Sequence, residues 1–261
     1  MIKNIAICGD SFSAGIGVHD LTNDPYGSLL GKELDATVFN LAKGSSSNFS
    51  IMLQVKHILA NNSEIDFVCV SATSYNRTEW MPDTCTDLDT PLTNFDVNYH
   101  QYPPFGKDSY VYQGTSPMTK HPEYDGKMIT EHYGALFDYL DNHLGKSHNY
   151  YSRLTKERVE KLKLIRDYYL NVYDERIKAE YDRGLVLMAH TLLKKRGIKH
   201  VILSKDWNFD NLIDDENLVK VDWFELSTKY PDDVGTMHTS KEGHQVALQA
   251  VLDKIDANKW R

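Results

Sequence analysis

Cysteine is scarce in this chain, and no apolar run in it is long. Its 261 residues hold three cysteines, Cys8, Cys69 and Cys85. An odd number without paired spacing argues against a disulfide framework and suits a reducing compartment. Cys8 and Cys69 lie inside apolar runs and read as small buried hydrophobes. No stretch approaches the ~18 apolar residues that a membrane span requires. The opening residues, Met1 to Cys8, are too short for a signal-peptide core and run straight into Gly9-Asp10. A cytoplasmic location is therefore expected. Positive charge is also in deficit. Lys and Arg number 29 against 37 Asp and Glu, a net charge of -8. Phosphate backbones and anionic lipid repel such a chain, so neither nucleic acid nor a membrane is expected as a partner. The 11 histidines show no metal spacing: there is no His-Glu-x-x-His and no Cys-x-x-Cys. His132, His143 and His148 fall in a Tyr-rich stretch without ligand spacing. No metal and no other cofactor is expected.

What is present is an ordinary globular composition, 41% hydrophobic and 25% charged, enough to bury a core without staples. Ile5 to Cys8, Phe67 to Val70, Val201 to Leu203 and Leu218 to Val221 are short apolar runs, and Thr37 to Leu41 is a weaker one. Such runs suit strands buried on both faces of a parallel sheet. Helical spacing separates them. Asn48 to Ala60 carries Ile51, Val55, Ile58 and Leu59 on one face. Leu185 to Arg196 ends in a basic triplet before Gly197, and Gly243 to Trp260 closes the chain. Strands alternating with helices predict an α/β fold with a parallel sheet between two helix layers.

The middle differs. Thirteen of the sixteen tyrosines fall between residues 99 and 181. The stretch from Trp80 to Tyr124 is polar and weakly periodic. Residues 155–183 read as one long helix, with Val159, Leu162, Ile165, Tyr169, Val172, Tyr173, Ile177 and Tyr181 in one stripe ended by Gly184. With no repeat or linker, the expectation is a single domain, 1–261, with an insertion at about 80–180. Its aromatic residues suit packing on a core or a partner chain, or contact with substrate. A homo-oligomer through the insertion is one expectation.

Chemistry gathers at the two ends. Gly9-Asp10-Ser11 directly follows the first apolar run, so Ser11 is expected where a parallel strand ends, on the face that binds ligands in α/β sheets. His238 stands near the other end, in His238-Thr239-Ser240-Lys241-Glu242-Gly243-His244. A serine nucleophile needs a base within reach, and histidine is the usual one. Gly15-Ile16-Gly17 faintly suggests a dinucleotide loop, but the third glycine and the acidic partner are missing.

Gly9-Asp10-Ser11 after an N-terminal strand, with His238 and Gly243-His244 near the C-terminus, resembles the SGNH (GDSL-like) hydrolases. The resemblance covers about 1–80 and 184–261. It implies a flavodoxin-like three-layer α/β/α sandwich and the activity of an esterase, lipase, thioesterase or carbohydrate deacetylase without a metal. It implies Ser11 as nucleophile and His238 as general base. The oxyanion hole it implies consists of the Ser11 and Gly44 backbone N–H groups and the Asn76 side chain. Gly44 lies in Leu41-Ala42-Lys43-Gly44-Ser45-Ser46-Ser47-Asn48, and Asn76 in Ser74-Tyr75-Asn76-Arg77. The family's third block, Gly-x-Asn-Asp, is altered here: Ser74 stands for the glycine and Arg77 for the acid. Arg77 suits an anionic substrate or a pairing with Glu79. The family's Asp-x-x-His is also altered, since Gly235 precedes His238 by three. Asp233 is the first candidate for orienting the imidazole, with Asp232 or a backbone carbonyl as alternatives. The segment Thr73 to Glu79 is similar to SGNH-like proteins of tailed bacteriophages, which would add the virion as a location. The expected substrate is a small-molecule or carbohydrate ester. Two other expectations stay open: a binding or structural module with little catalysis, and acyl transfer to a sugar acceptor.

Overall fold

The short apolar runs bounded by glycine and polar turns become the strands of one parallel sheet. In the computed structural model the described residues are 1–44, 46–61, 64–80, 97–98, 128–132, 156–205, 209, 212–232 and 238–261. Strands β1 (Asn4–Cys8), β2 (Thr37–Asn40), β3 (Phe67–Ser71), β7 (Lys199–Ser204) and β8 (Leu218–Lys220) lie in the order β2-β1-β3-β7-β8. Every pairing in this sheet is parallel. This is the doubly wound order whose winding reverses between β1 and β3, leaving a crevice at their C-terminal ends. Register sets that edge level: Cys8 is opposite Val70, and Val70 is opposite Ile202.

Both faces of the sheet are covered, which is why the strands are apolar without alternation. Ile5 and Ile7 face one core, with Tyr26 and Leu30 of α2 (Tyr26–Leu34), Trp223 and Leu226 of α6 (Trp223–Lys229) and Val251 and Ile255 of α7 (Lys241–Ala257). Ala6 and Cys8 face the other, with Ile51, Val55 and Ile58 of α3 (Asn48–Asn61) and Val186, Ala189 and Leu193 of α5 (Glu175–Lys195). The result is a three-layer α/β/α sandwich, as expected. Cys8 and Cys69 are both free and buried, one in each core.

Three further strands, β4 (Arg77–Trp80), β5 (Val97–Asn98) and β6 (Met128–His132), form a separate small sheet in the order β4-β6-β5. Sequence periodicity did not reveal it. The long helix expected over 155–183 is two helices, α4 (Lys156–Asn171) and α5. The break has a local cause. The Asp174 side chain accepts from the Arg176 and Ile177 N–H groups at 2.8 and 3.4 Å and caps a new helix. Gly184 does not end that helix; α5 runs on to Lys195 and absorbs the helix expected from Leu185. The expected boundary near residue 180 therefore falls inside α5. Nor is the apolar stripe one buried face. Tyr169 is buried, but Val172, Ile177 and Tyr181 are exposed.

Candidate active site

Ser11 opens a four-residue helix, α1 (Ser11–Ala14), immediately beyond β1. Asp10 holds this turn. Its Oδ1 accepts the Phe12 N–H at 3.1 Å, capping the helix. Its Oδ2 accepts the Thr73 hydroxyl at 2.7 Å and pairs with the Arg77 guanidinium at 3.1 Å. The same guanidinium donates to the Ser46 carbonyl at 2.6 Å. This buried pairing was not among the roles expected for Arg77, and the Glu79 side chain lies outside the described residues. The cation is largely buried, pairs with Asp10 and clamps the loop after β2.

Gly44 is buried in that loop. The preceding Lys43 N–H donates to the Gly9 carbonyl at 3.2 Å, which sets the loop against the turn that carries Ser11. Gln54, from α3, fastens both. It accepts from the Gly9 N–H at 2.8 Å and donates to the Gly9 carbonyl at 3.1 Å and the Ser46 hydroxyl at 3.2 Å. Asn76 is half-buried between β3 and β4, and its Oδ1 accepts the Ser74 hydroxyl at 2.5 Å.

His238 reaches the same edge from the other end of the chain. Its ring packs on Phe12, the residue after Ser11, with centroids 4.8 Å apart. Phe12 is itself stacked on Trp223 at 5.5 Å and 12°. The Trp223 Nε1–H donates to the Ser71 hydroxyl at 2.8 Å, anchoring the aromatic group to the end of β3. Room for the histidine comes from Gly17, at φ 102°, where a Cβ would lie 2.7 Å from the His238 Cβ. The Gly15-Ile16-Gly17 segment therefore serves helix termination and close packing. Gly243 has a similar reason: a Cβ there would meet the Thr239 hydroxyl at 1.8 Å.

Asp233 lies outside the described residues. Asp232 is described, and its carboxylate accepts the backbone N–H of His238 at 3.3 Å while its own N–H donates to the His238 carbonyl at 3.1 Å. It holds the loop that carries the imidazole. His244 is fully buried, and its Nδ1 accepts the Tyr26 N–H at 3.3 Å. Burial pulls its pKa down to about 4, so it sits neutral in the core. No group of three potential metal ligands occurs among the described residues.

The sequence offered little notice of the supporting residues. Trp223 and Gln54 belong to no motif, and only the fold brings Trp223 to Phe12, Gln54 to Gly9 and Thr73 to Asp10.

No family model matches the chain, and no curated protein does. Two solved structures similar to it are a G-D-S-L family protein from Desulfitobacterium hafniense DCB-2 and a two-domain esterase active on acetylated mannans. The first is 12% identical with a TM-score of 0.34, over 97% of this chain and 99% of that one. The second is also 12% identical with a TM-score of 0.34, over 99% of this chain and 50% of that one.

Proposed function

We propose that the protein is a serine hydrolase of the SGNH class acting on a small-molecule or carbohydrate ester. One observation carries this reading. Segments distant in sequence are tied to the turn after β1, beside the point where the winding reverses: the Lys43 N–H bonds the Gly9 carbonyl, Thr73 and Arg77 bond Asp10, and His238 packs on Phe12. Ligands of doubly wound sheets bind there.

In this mechanism His238 takes the proton of the Ser11 hydroxyl as the oxygen attacks the acyl carbon. The carbonyl oxygen becomes an oxyanion. The first-turn N–H of Ser11, the N–H of Gly44 and the Asn76 amide donate to it. Collapse expels the alcohol, which takes the proton from His238. Water, deprotonated by the same histidine, then releases the acid and restores Ser11. Asp233 is the proposed orienter of the imidazole, with Asp232 fixing its loop.

Labelling by a fluorophosphonate probe tests this without knowledge of the substrate. Wild type is expected to label, and Ser11→Ala and His238→Ala to lose labelling while staying folded. Undiminished labelling of Ser11→Ala would overturn the assignment. A second reading, a binding module on the same fold, is favoured by the low exposure of Ser11, 6%. It expects no labelling of folded wild type. Acyl transfer in place of hydrolysis would show as acylated sugar when an acceptor is added. The proposed homo-oligomer would show by light scattering as a multiple of 30.0 kDa.

A further inference from the structure

We propose that Asn48 and Asp182 are positioning residues that set the Ser11 turn through Thr73 and Asp10. The buried contacts form an unbroken chain. Lys178 and Asp182 pair within α5. Asp182 Oδ2 accepts from Asn48 Nδ2 at 3.1 Å. The same Nδ2 donates to the Thr73 carbonyl at 2.8 Å, and Asn48 Oδ1 accepts the Thr73 N–H at 3.0 Å. Asn48 therefore pairs with residue 73 as a neighbouring strand would, using both backbone groups. The Thr73 hydroxyl then donates to Asp10 Oδ2, and Asp10 Oδ1 holds the Phe12 N–H.

Every member between α5 and Phe12 is nearly or fully buried: Asp182 is 0% exposed, Asn48 1%, Thr73 6% and Asp10 3%. Water is not at hand to replace a lost partner, so each group's orientation depends on the next. The amide of Asn48 has one workable orientation, because its oxygen must meet the Thr73 N–H. Its second amide hydrogen needs an acceptor, which Asp182 provides. Burial raises the pKa of Asp182, and Lys178 and Asn48 pull it back towards ionisation. The chain thus ties α5 to the nucleophile turn across α3 and the loop after β3.

Its effect on chemistry rests on the serine-hydrolase reading; its geometry does not. The test uses two nearly isosteric variants, Asp182→Asn and Thr73→Val. In each, the Phe12 amide is followed by hydrogen exchange, with the Val201 amide in β7 as a reference for general loosening. Fluorophosphonate labelling rates are measured in parallel. Phe12 is expected to exchange at least about tenfold faster relative to Val201, and labelling to slow at least about tenfold, since small misplacements of reacting groups cost rates of this size. Unchanged Phe12 exchange in both folded variants overturns the relay. So does an acceleration that Val201 shares. Faster Phe12 exchange with unchanged labelling overturns the positioning role. If wild type does not label, the hydrolase reading fails, and the exchange ratio still decides the relay.

Discussion

Asp10 and Arg77 show how little a residue type reveals until its partner is known. In the sequence Asp10 reads as part of a turn before Ser11, and Arg77 as a substitution for an acid. In the fold their side chains are 5% and 11% exposed and lie 3.1 Å apart. Removing one partner of a buried ion pair leaves the other charge uncompensated, which typically costs about 3–5 kcal/mol. Arg77→Met should therefore lower the unfolding free energy by about that amount. Urea unfolding measures it, and Asp10→Asn combined with Arg77→Met should recover part of the loss. A loss below about 1 kcal/mol, the range of exposed pairs, would show that the pair is solvated and not a clamp. His238 is the opposite case. Its role as a candidate base was legible from chemistry and position alone, but its seat on Phe12, in the space left by Gly17, was not.

At the scale of elements, the strands were legible and the helices partly so. The four stronger runs became β1, β3, β7 and β8 because strands covered on both faces carry runs of apolar residues without alternation. The weaker run, Thr37 to Leu41, became edge strand β2, Thr37–Asn40. The Tyr26–Leu34 and Trp223–Lys229 helices were not read. Each is short, and the exposed Phe224 blurs the pattern of the second. The 155–183 pattern misled because apolar spacing says nothing about whether a surface exists to cover it. Gly184 was misread for a related reason. It has the chemistry of a helix end but lies mid-helix, with nothing within 4 Å of an added Cβ. An exposed mid-helix glycine lowers helix propensity relative to alanine by about 1 kcal/mol. Gly184→Ala should accordingly raise stability by about 0.5–1 kcal/mol, read as a higher urea midpoint at unchanged slope. A lowered midpoint would show that the position needs its glycine.

For the whole molecule, the clearest expectation concerns pH. His200 is buried at the start of β7. Its Nδ1 faces the Ile198 carbonyl at 2.8 Å and its Nε2 faces His190 Nδ1 at 2.9 Å. Burial pulls its pKa, like that of His244, down to about 4. An unfolded histidine titrates near about 6.5, so between these values the unfolded chain binds more protons than the folded one. Stability from the two residues is fully present above about pH 6.5 and falls as pH drops towards about 4, by on the order of 3 kcal/mol for each. Asp182, raised by burial, acts in the opposite sense. Urea midpoints at intervals between those pH values, in wild type and in His244→Gln, isolate the contribution. The variant should show the shallower fall, and equal slopes would refute a buried neutral His244.

Length and apolar runs alternating with helical spacing were enough to determine an α/β chain with a parallel sheet, because a strand's burial is written in its own residues. The candidate serine and histidine were legible for a similar reason: few side chains perform that chemistry, and their positions next to a first strand and a last helix are local facts. What only the tertiary structure decided is which distant groups meet. That the Asp10 carboxylate would gather Thr73 and Arg77, that Gln54 would fasten Gly9 to Ser46, and that Asn48 would mimic a strand beside Thr73 all depend on strand order and register. These are long-range pairings, and a polar side chain satisfied by a partner far along the sequence leaves no periodic trace near itself.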